Sequence, residues 1–401
     1  MSIQADIATP IDSGAAKISL AERAIGFLLR PRVFVSLLVW STVIPFFVSG
    51  LTIYNVIGAQ WIISCILFLA LIHVPMTVYL FFDPAIRDQM RHRRILMIGG
   101  CVFWFVVSMV AFTAFSASLG AKHTEVLYVF TFTGIMWQHW HFGKQNLGVF
   151  ALSKIATKSG PVTRFERHTI VAGAICGIVA AYLMVGRSLQ QQFSPSSDFS
   201  FFFGPMDFFS AQFRWFQYAI GVAAAVYIVL NFRKFTPSTA AMYFFGVCFF
   251  LPQYLAIDLP QSLTVFAQFI MGHGLQYILI LLYHSLGLTD VNLRTSQSST
   301  QPLARAAKVL APLFFFAVSV VVALNYNTDY VWFKYSDMIA RITNDVMRLK
   351  LEGPMIAGLA TGFIWGILLS HFWLDSFFWR LKDKAPREWM RARFAFLFGG
   401  R

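Results

Sequence analysis

Residues 262–286 read SLTVFAQFIMGHGLQYILILLYHSL, a long apolar run that contains no aspartate, glutamate, lysine or arginine. An α-helix rises 1.5 Å per residue, so roughly 20 such residues cross a hydrocarbon layer of about 30 Å. Runs of this kind recur from Val33 to Trp373 without the period-two alternation of a membrane barrel. Because lipid offers backbone groups no water, the runs are predicted to be helices. The sequence therefore predicts an all-α, polytopic integral membrane bundle.

The composition agrees with this prediction along the whole chain. The 401 residues are 57% hydrophobic and 12% charged, with a mean hydropathy of +0.63. A soluble domain carries about 25% charged residues. The first 30 residues lack the apolar core of a cleavable signal peptide, so the first apolar run is expected to be an uncleaved signal. All four cysteines fall inside apolar runs, where they are expected to pack as small apolar groups.

Ten transmembrane spans are predicted, numbered here from first to tenth in chain order. They cover residues 33–53, 60–82, 94–118, 124–150, 168–186, 213–232, 239–257, 262–286, 307–326 and 354–379. With the N-terminus inside, the inner segments hold about 25 of the 32 Lys and Arg residues, which is the cytoplasmic enrichment that sets orientation. Both termini are therefore predicted in the cytoplasm, in the inner membrane of a cell. The net charge of +14 then reflects topology, and no nucleic-acid partner is expected.

The predicted organisation has three parts. Residues 1–32 form a cytoplasmic N-terminal segment, and residues 33–379 form the transmembrane bundle. Two outer connections of the bundle are long, at 187–212 and 328–352. Residues 380–401 form a basic tail whose mixture of basic and aromatic residues suits an anionic lipid surface.

Histidines occur where a lipid-facing helix would not carry them. Six of the nine lie within apolar runs: His73, His139, His141, His273, His284 and His371. Asp375 follows on the tenth span. Ionisable side chains inside a bilayer are costly, and they usually face the bundle interior and mark a functional site.

Four of these histidines are predicted to share one layer. The second, fourth, eighth and tenth spans all run from outside to inside, and they carry His73, His141, His273 and His371. At 1.5 Å per residue, the four depths agree within roughly 10 Å. We therefore expect the four imidazoles to meet around a common point.

The helical rotation of 100° per residue assigns faces to the polar residues. On the eighth span, His273, Tyr277 and His284 form one stripe, with Gln276 beside it. On the tenth span, the aspartate lies one turn from the histidine on the same face.

The fourth span is ambiguous because it carries two histidines. His139 and His141 point about 200° apart on a straight helix, so only one can face a given site. Either one is a bystander or the helix is irregular near Gly143. His141 is favoured because Lys144 and Gln145 share its face.

Neutral imidazoles with one carboxylate form a ligand set that suits iron, zinc or copper. The predicted metal ligands are His73, His141, His273, His371 and Asp375, with His139 and His284 as secondary candidates. Tyr277, Gln145 and Gln276 are predicted to support catalysis. A metal inside an aromatic-rich bundle points to oxygen activation on a lipophilic substrate, with iron as the first choice. Because no ferredoxin or flavin domain is present in the sequence, the electron donor would be external.

Three other interpretations stay open. Buried His and Asp residues could form the proton relay of a transporter. Histidines on facing helices could ligate a b-type haem. A scaffold without chemistry predicts that the histidine layer does not converge in space.

Three segments carry a resemblance: HGLQY at 273–277, WHFGKQN at 140–146 and the pattern HxxxDxxxWR from His371 to Arg380. They resemble segments of a family of polytopic bacterial membrane proteins that has no assigned activity. The resemblance implies that seven residues function as a set: His141, Gln145, His273, Gln276, Tyr277, His371 and Asp375. The chain lacks the HxxxH and HxxHH boxes of membrane desaturases. Its single histidines on several helices resemble the architecture of Brp/Blh carotenoid-cleaving oxygenases, by analogy only.

Overall fold

The computed structural model describes residues 23, 26–54, 56, 73, 91–117, 121–190, 205–259, 262–293, 354–378 and 383–398. These residues are helical almost throughout and include no strand, so the all-α prediction is confirmed for them. The helices are α1 (Pro31–Ile53), α2 (Arg94–Ala117), α3 (Ala121–Thr157), α4 (Arg164–Gln190), α5 (Met206–Leu230), α6 (Pro237–Val247), α7 (Leu251–Ala256), α8 (Ser262–Leu293), α9 (Pro354–Phe378) and α10 (Lys384–Arg393).

Four segments within this described part are long and apolar enough to cross a membrane. They are Pro31–Ile53, Arg94–Phe112, Arg164–Met184 and Phe208–Leu230. The predicted second and ninth spans and the outer connection 328–352 lie outside the described residues, apart from His73. The other long outer connection, predicted at 187–212, overlaps two helices. Of these, α4 ends at Gln190 and α5 begins at Met206.

Within the described part of the chain, the seventh predicted span is not a single helix. A single helix over 239–257 was expected, but α6 ends at Val247 and α7 begins at Leu251. Pro252 explains the break, because its ring would clash with the carbonyl four residues earlier in a continuous helix. That carbonyl, on Cys248, instead accepts a hydrogen bond of 2.8 Å from the Leu251 amide.

The turn between α3 and α4 is held by a buried ion pair. Lys154 Nζ lies 2.8 Å from Glu166 Oε1, and both side chains are almost fully buried. Glu166 Oε2 also accepts a hydrogen bond of 2.7 Å from the amide of Thr163, whose hydroxyl in turn caps the Glu166 amide. This reciprocal capping fixes the start of α4 and ties it to the end of α3.

Several helix ends meet at one end of the bundle. Tyr283 of α8 donates a hydrogen bond of 2.8 Å to the Leu28 carbonyl, just before α1. Arg93, just before α2, pairs with Asp383, just before α10. Phe396, after α10, contacts the rings of Phe34 and Tyr283. The start of α1 therefore lies beside the C-terminal half of α8, and the start of α2 lies beside the start of α10.

The basic tail is partly buried, which composition alone did not predict. Trp389 and Met390 of α10 are buried in the hydrophobic core. The same helix leaves Lys384, Arg387 and Arg391 exposed. The segment therefore packs its apolar side against the bundle and turns its basic side outward.

Candidate metal centre

Four imidazole rings from different parts of the chain meet inside the bundle. The ring centroids are separated by 4.8 Å for His73 and His273, and by 5.0 Å for His141 and His273. The His371 ring lies 5.2 Å from His73 and 5.8 Å from His141. The convergence expected from the sequence is therefore observed, and it is the opposite of what a scaffold interpretation requires.

The cluster is shielded from solvent. His73, His273, His371 and Asp375 are each exposed by 2% or less, and the side chain of His141 by 14%. Two groups of side chains have potential ligand atoms within 4.8 Å of one another: His73 with His273 and His371, and His141 with His371 and Asp375. All five predicted ligands thus lie in places where an ion could be bound.

Asp375 connects the cluster to α8. Its Oδ2 lies 3.3 Å from His141 Nε2 and 3.7 Å from His371 Nε2. Its Oδ1 accepts a hydrogen bond of 3.0 Å from the hydroxyl of Tyr277, which is fully buried. Tyr277, expected to support catalysis, therefore holds the carboxylate in place.

The environment of His273 fits a metal ligand. Neither ring nitrogen has a hydrogen-bond partner among the described residues, although both atoms are buried. The ring of Phe142 stacks against it at 4.3 Å. A buried polar atom without a partner is costly, and a metal bound to one of the imidazole nitrogens would remove that cost there.

The two predicted glutamines form an amide cluster beside the histidines. Gln145 Nε2 donates to Gln276 Oε1 at 3.0 Å and approaches the His273 carbonyl at 3.4 Å. Gln276 Nε2 donates to Thr42 Oγ1 at 2.8 Å and to Asn146 Oδ1 at 3.1 Å. These bonds join α1, α3 and α8, so the glutamines position the helices around the site.

Thr42 and Asn146 were not among the residues selected from the sequence. Asn146 follows Gln145 in a polar segment, and its amide is the feature of the sequence that could have identified it. No feature of the sequence distinguishes Thr42, because threonine is common in apolar helices and its hydroxyl often bonds a carbonyl of its own helix. Thr42 forms such a bond, of 3.0 Å, to the Leu38 carbonyl.

The secondary candidates lie outside the two ligand groups. His139 Nδ1 lies 2.9 Å from the Ile135 carbonyl, and its Nε2 lies 3.2 Å from Gln253 Nε2. His284 packs against Trp389, with ring centroids 5.2 Å apart. Since α3 is one continuous helix, His139 and His141, which are two residues apart, lie on opposite faces of it. Of these two histidines, only His141 reaches the cluster.

Close packing between α2 and α9 fixes the position of His371. Ser370 Oγ donates to the Cys101 carbonyl at 3.0 Å, and Trp373 Nε1 donates to the Leu96 carbonyl at 3.3 Å. A Cβ on Gly362 would lie 2.8 Å from the backbone of Met109, closer than atoms normally approach. The absence of a side chain there lets α9 lie directly against α2.

Aromatic rings line the cluster on one side. The Phe372 ring lies 4.9 Å from His141 and 6.1 Å from Trp137, which in turn lies 5.1 Å from Trp104. These rings form an apolar wall on this side of the cluster.

A porphyrin fits this arrangement poorly. The centroids of His273 and His371 are 6.1 Å apart, about the separation of two axial ligands. The rings of His73 and His141 lie within 6 Å of both, in the space that the macrocycle would fill. The geometry therefore favours a bare ion over a haem.

No family model, curated protein or solved structure matches this chain. The argument for function therefore depends on the geometry of the site.

Proposed function

We propose that the chain crosses the cytoplasmic membrane ten times, with both termini in the cytoplasm. Four described helices have the length and apolarity to cross a membrane. The start of α1 lies beside the C-terminal half of α8, as an alternating topology requires. The distribution of Lys and Arg supplies the orientation.

Impermeant thiol labelling in intact cells tests this topology. Lys234 is exposed in a predicted inner turn, and Asp258 is exposed in a predicted outer turn. In a cysteine-free background, Asp258→Cys should react with the reagent and Lys234→Cys should react only after permeabilisation. The reverse pattern would contradict the orientation.

We further propose that the protein is a metal-dependent membrane oxidoreductase that activates oxygen at a lipophilic substrate. The observation that carries this proposal is the convergence of four imidazoles, three of them buried and one partly buried, and one buried carboxylate from four segments of the chain. Such a set suits first-row transition metals, with iron as the first candidate and zinc or copper as alternatives. When bound, an iron ion supplies the one-electron chemistry that side chains lack.

The residues of the chain hold and shape this centre. The imidazoles act as neutral nitrogen ligands, and Asp375 is the single anionic ligand. Tyr277 and the amide pair Gln145 and Gln276 keep α3, α8 and α9 in register. The wall around Phe372 excludes water and accepts the apolar part of the substrate, which would come from the surrounding lipid.

Elemental analysis tests the proposal directly. The wild-type protein, purified in detergent, should carry a transition metal that a His73→Ala/His273→Ala/His371→Ala variant lacks. The matched control is His139→Ala/His284→Ala, which removes buried histidines outside the cluster. Equal metal content in wild type and the triple variant would contradict metal binding at this site.

An activity assay separates the oxygenase from a proton-coupled carrier. Iron-loaded protein should consume oxygen when supplied with ascorbate and a total membrane-lipid extract, and the triple variant should not. Ion-coupled uptake into liposomes by a metal-free protein would favour the carrier instead.

A further inference from the structure

We propose that the candidate metal centre binds two metal ions, one on the His73 side and one on the His141 side. This inference rests on the proposed metal binding and adds its nuclearity. The five potential ligands form two groups that do not merge into one and that share only His371, whose single ligand atom can bind only one of the two ions. One group is His73, His273 and His371, and the other is His141, His371 and Asp375.

Bond lengths limit how many of these side chains one ion can reach. A transition metal binds nitrogen and oxygen at about 2.0–2.2 Å, so two ligands of one ion lie at most about 4.4 Å apart. Each group has its ligand atoms within 4.8 Å of one another, close to that limit. Because the five ligands do not form one such group, a single ion cannot bind them all without movement.

The rings also form a four-sided arrangement. His273 and His371 each contact both of the other histidines, at 4.8–5.8 Å between centroids. His73 and His141 belong to different groups of potential ligands. Asp375 lies on the His141 side, 3.3 Å from the Nε2 atom of that histidine.

The His141 side has the spacing expected for ligands of one ion. Asp375 Oδ2 lies 3.3 Å from His141 Nε2 and 3.7 Å from His371 Nε2. Two ligands of a tetrahedral ion at about 2.1 Å lie about 3.4 Å apart. No hydrogen bond is formed by His141 Nε2 to any described residue despite this proximity, which leaves the atom available as a ligand.

The charge of the centre indicates what completes it. Two divalent ions would bring four positive charges into a buried site whose ligands include one carboxylate. An uncompensated buried charge is costly, so hydroxide ions or the carboxylate of a substrate would have to supply the remaining negative charge.

Metal stoichiometry in the full-length protein tests this proposal. Purified protein in lipid nanodiscs is equilibrated with Co²⁺, freed of unbound metal by gel filtration and measured by mass spectrometry. We expect about two ions per chain in the wild type and in the control His139→Ala. His73→Ala and His141→Ala should each lose about half of the metal, and Asp375→Asn should behave like His141→Ala.

The possible results separate this proposal from the proposed function. One ion in the wild type, with no loss in His141→Ala or Asp375→Asn, would overturn the two-metal centre and leave a single metal site. One ion in the wild type that is lost in each of His73→Ala, His141→Ala and Asp375→Asn would also overturn the two-metal centre. If no folded form of the protein bound metal, both the two-metal centre and the proposed metal-dependent function would be overturned. Circular dichroism and gel filtration establish folding, and His141→Gln replaces His141→Ala if that variant does not fold.

Discussion

Tyr277 donates a hydrogen bond of 3.0 Å to Oδ1 of Asp375 and so ties α8 to α9 inside the candidate metal centre. Hydrogen bonds to a ligating carboxylate orient it, and their loss typically lowers metal affinity 10–100-fold. We therefore expect Tyr277→Phe to bind Co²⁺ about 10–100-fold more weakly than wild type, measured by titration calorimetry. The matched control is Tyr283→Phe, which removes a hydroxyl that bonds the Leu28 carbonyl outside the centre. Equal affinities in the two variants would contradict this role.

We expect the buried ion pair between Lys154 and Glu166 to affect the stability of the protein through its charges. Both side chains are at most 3% exposed, so removing one partner leaves the other charge buried and unpaired. Glu166→Gln should lower the free energy of unfolding by about 3–5 kcal/mol. The double variant Lys154→Met/Glu166→Gln should be more stable than Glu166→Gln, because it removes both charges.

Unfolding titrations in mixed micelles measure these differences. The control is Glu388→Gln, since Glu388 pairs with Lys384 at 3.8 Å on an exposed surface. Exposed ion pairs contribute little to stability, so Glu388→Gln should have the same free energy of unfolding as wild type. A double variant no more stable than Glu166→Gln would show that the pair does not act through its charges.

The contact between α9 and α2 predicts a steric effect at Gly362. A Cβ there would lie 2.8 Å from the Met109 Cα and from the Ser108 carbonyl oxygen, and neither backbone atom can move freely. Gly362→Ala should therefore destabilise the protein by about 1–3 kcal/mol and weaken metal binding at His371. Thermal unfolding and metal titration report the two effects.

Gly99→Ala is the control for this prediction, because no atom lies within 4 Å of a Cβ at that position on α2. Alanine is favoured over glycine inside a helix by about 0.5–1 kcal/mol. Gly99→Ala should therefore be as stable as wild type or slightly more so. A Gly362→Ala protein with unchanged stability would mean that α9 does not pack against α2 in this way.

The amide cluster predicts a structural role for Gln276. Gln276→Leu removes bonds to Gln145, Thr42 and Asn146 while keeping a similar volume. Interhelical hydrogen bonds in membranes contribute about 0.6 kcal/mol each, so stability should fall by roughly 2 kcal/mol. The metal content at saturation should stay at the wild-type level, because Gln276 belongs to neither ligand group.

The control for the amide cluster is Gln217→Leu, whose side chain makes a hydrogen bond of 3.3 Å to the Val247 carbonyl. It should cost less stability than Gln276→Leu in the same unfolding titration. If Gln276→Leu lost its metal at wild-type stability, Gln276 would belong to the ligand environment instead.

Much of the site could be predicted from the sequence because an α-helix has a fixed geometry. The rise per residue gave the common depth of His73, His141, His273 and His371, and the rotation per residue put Asp375 on the face of His371. The same rotation separated His139 from His141, although it could not say which of them turns inward.

The helical class, the apolar segments and the layer of intramembrane histidines can be predicted from the sequence, because each follows from local geometry and from the cost of polar groups in lipid. The fold is needed to show which faces meet. His139 lies against Gln253 while His141 faces the cluster, Thr42 lies beside Gln276, and Trp389 packs in the hydrophobic core. The rotation of each helix about its axis depends on packing with neighbours distant in sequence. A pattern along one helix cannot contain that information.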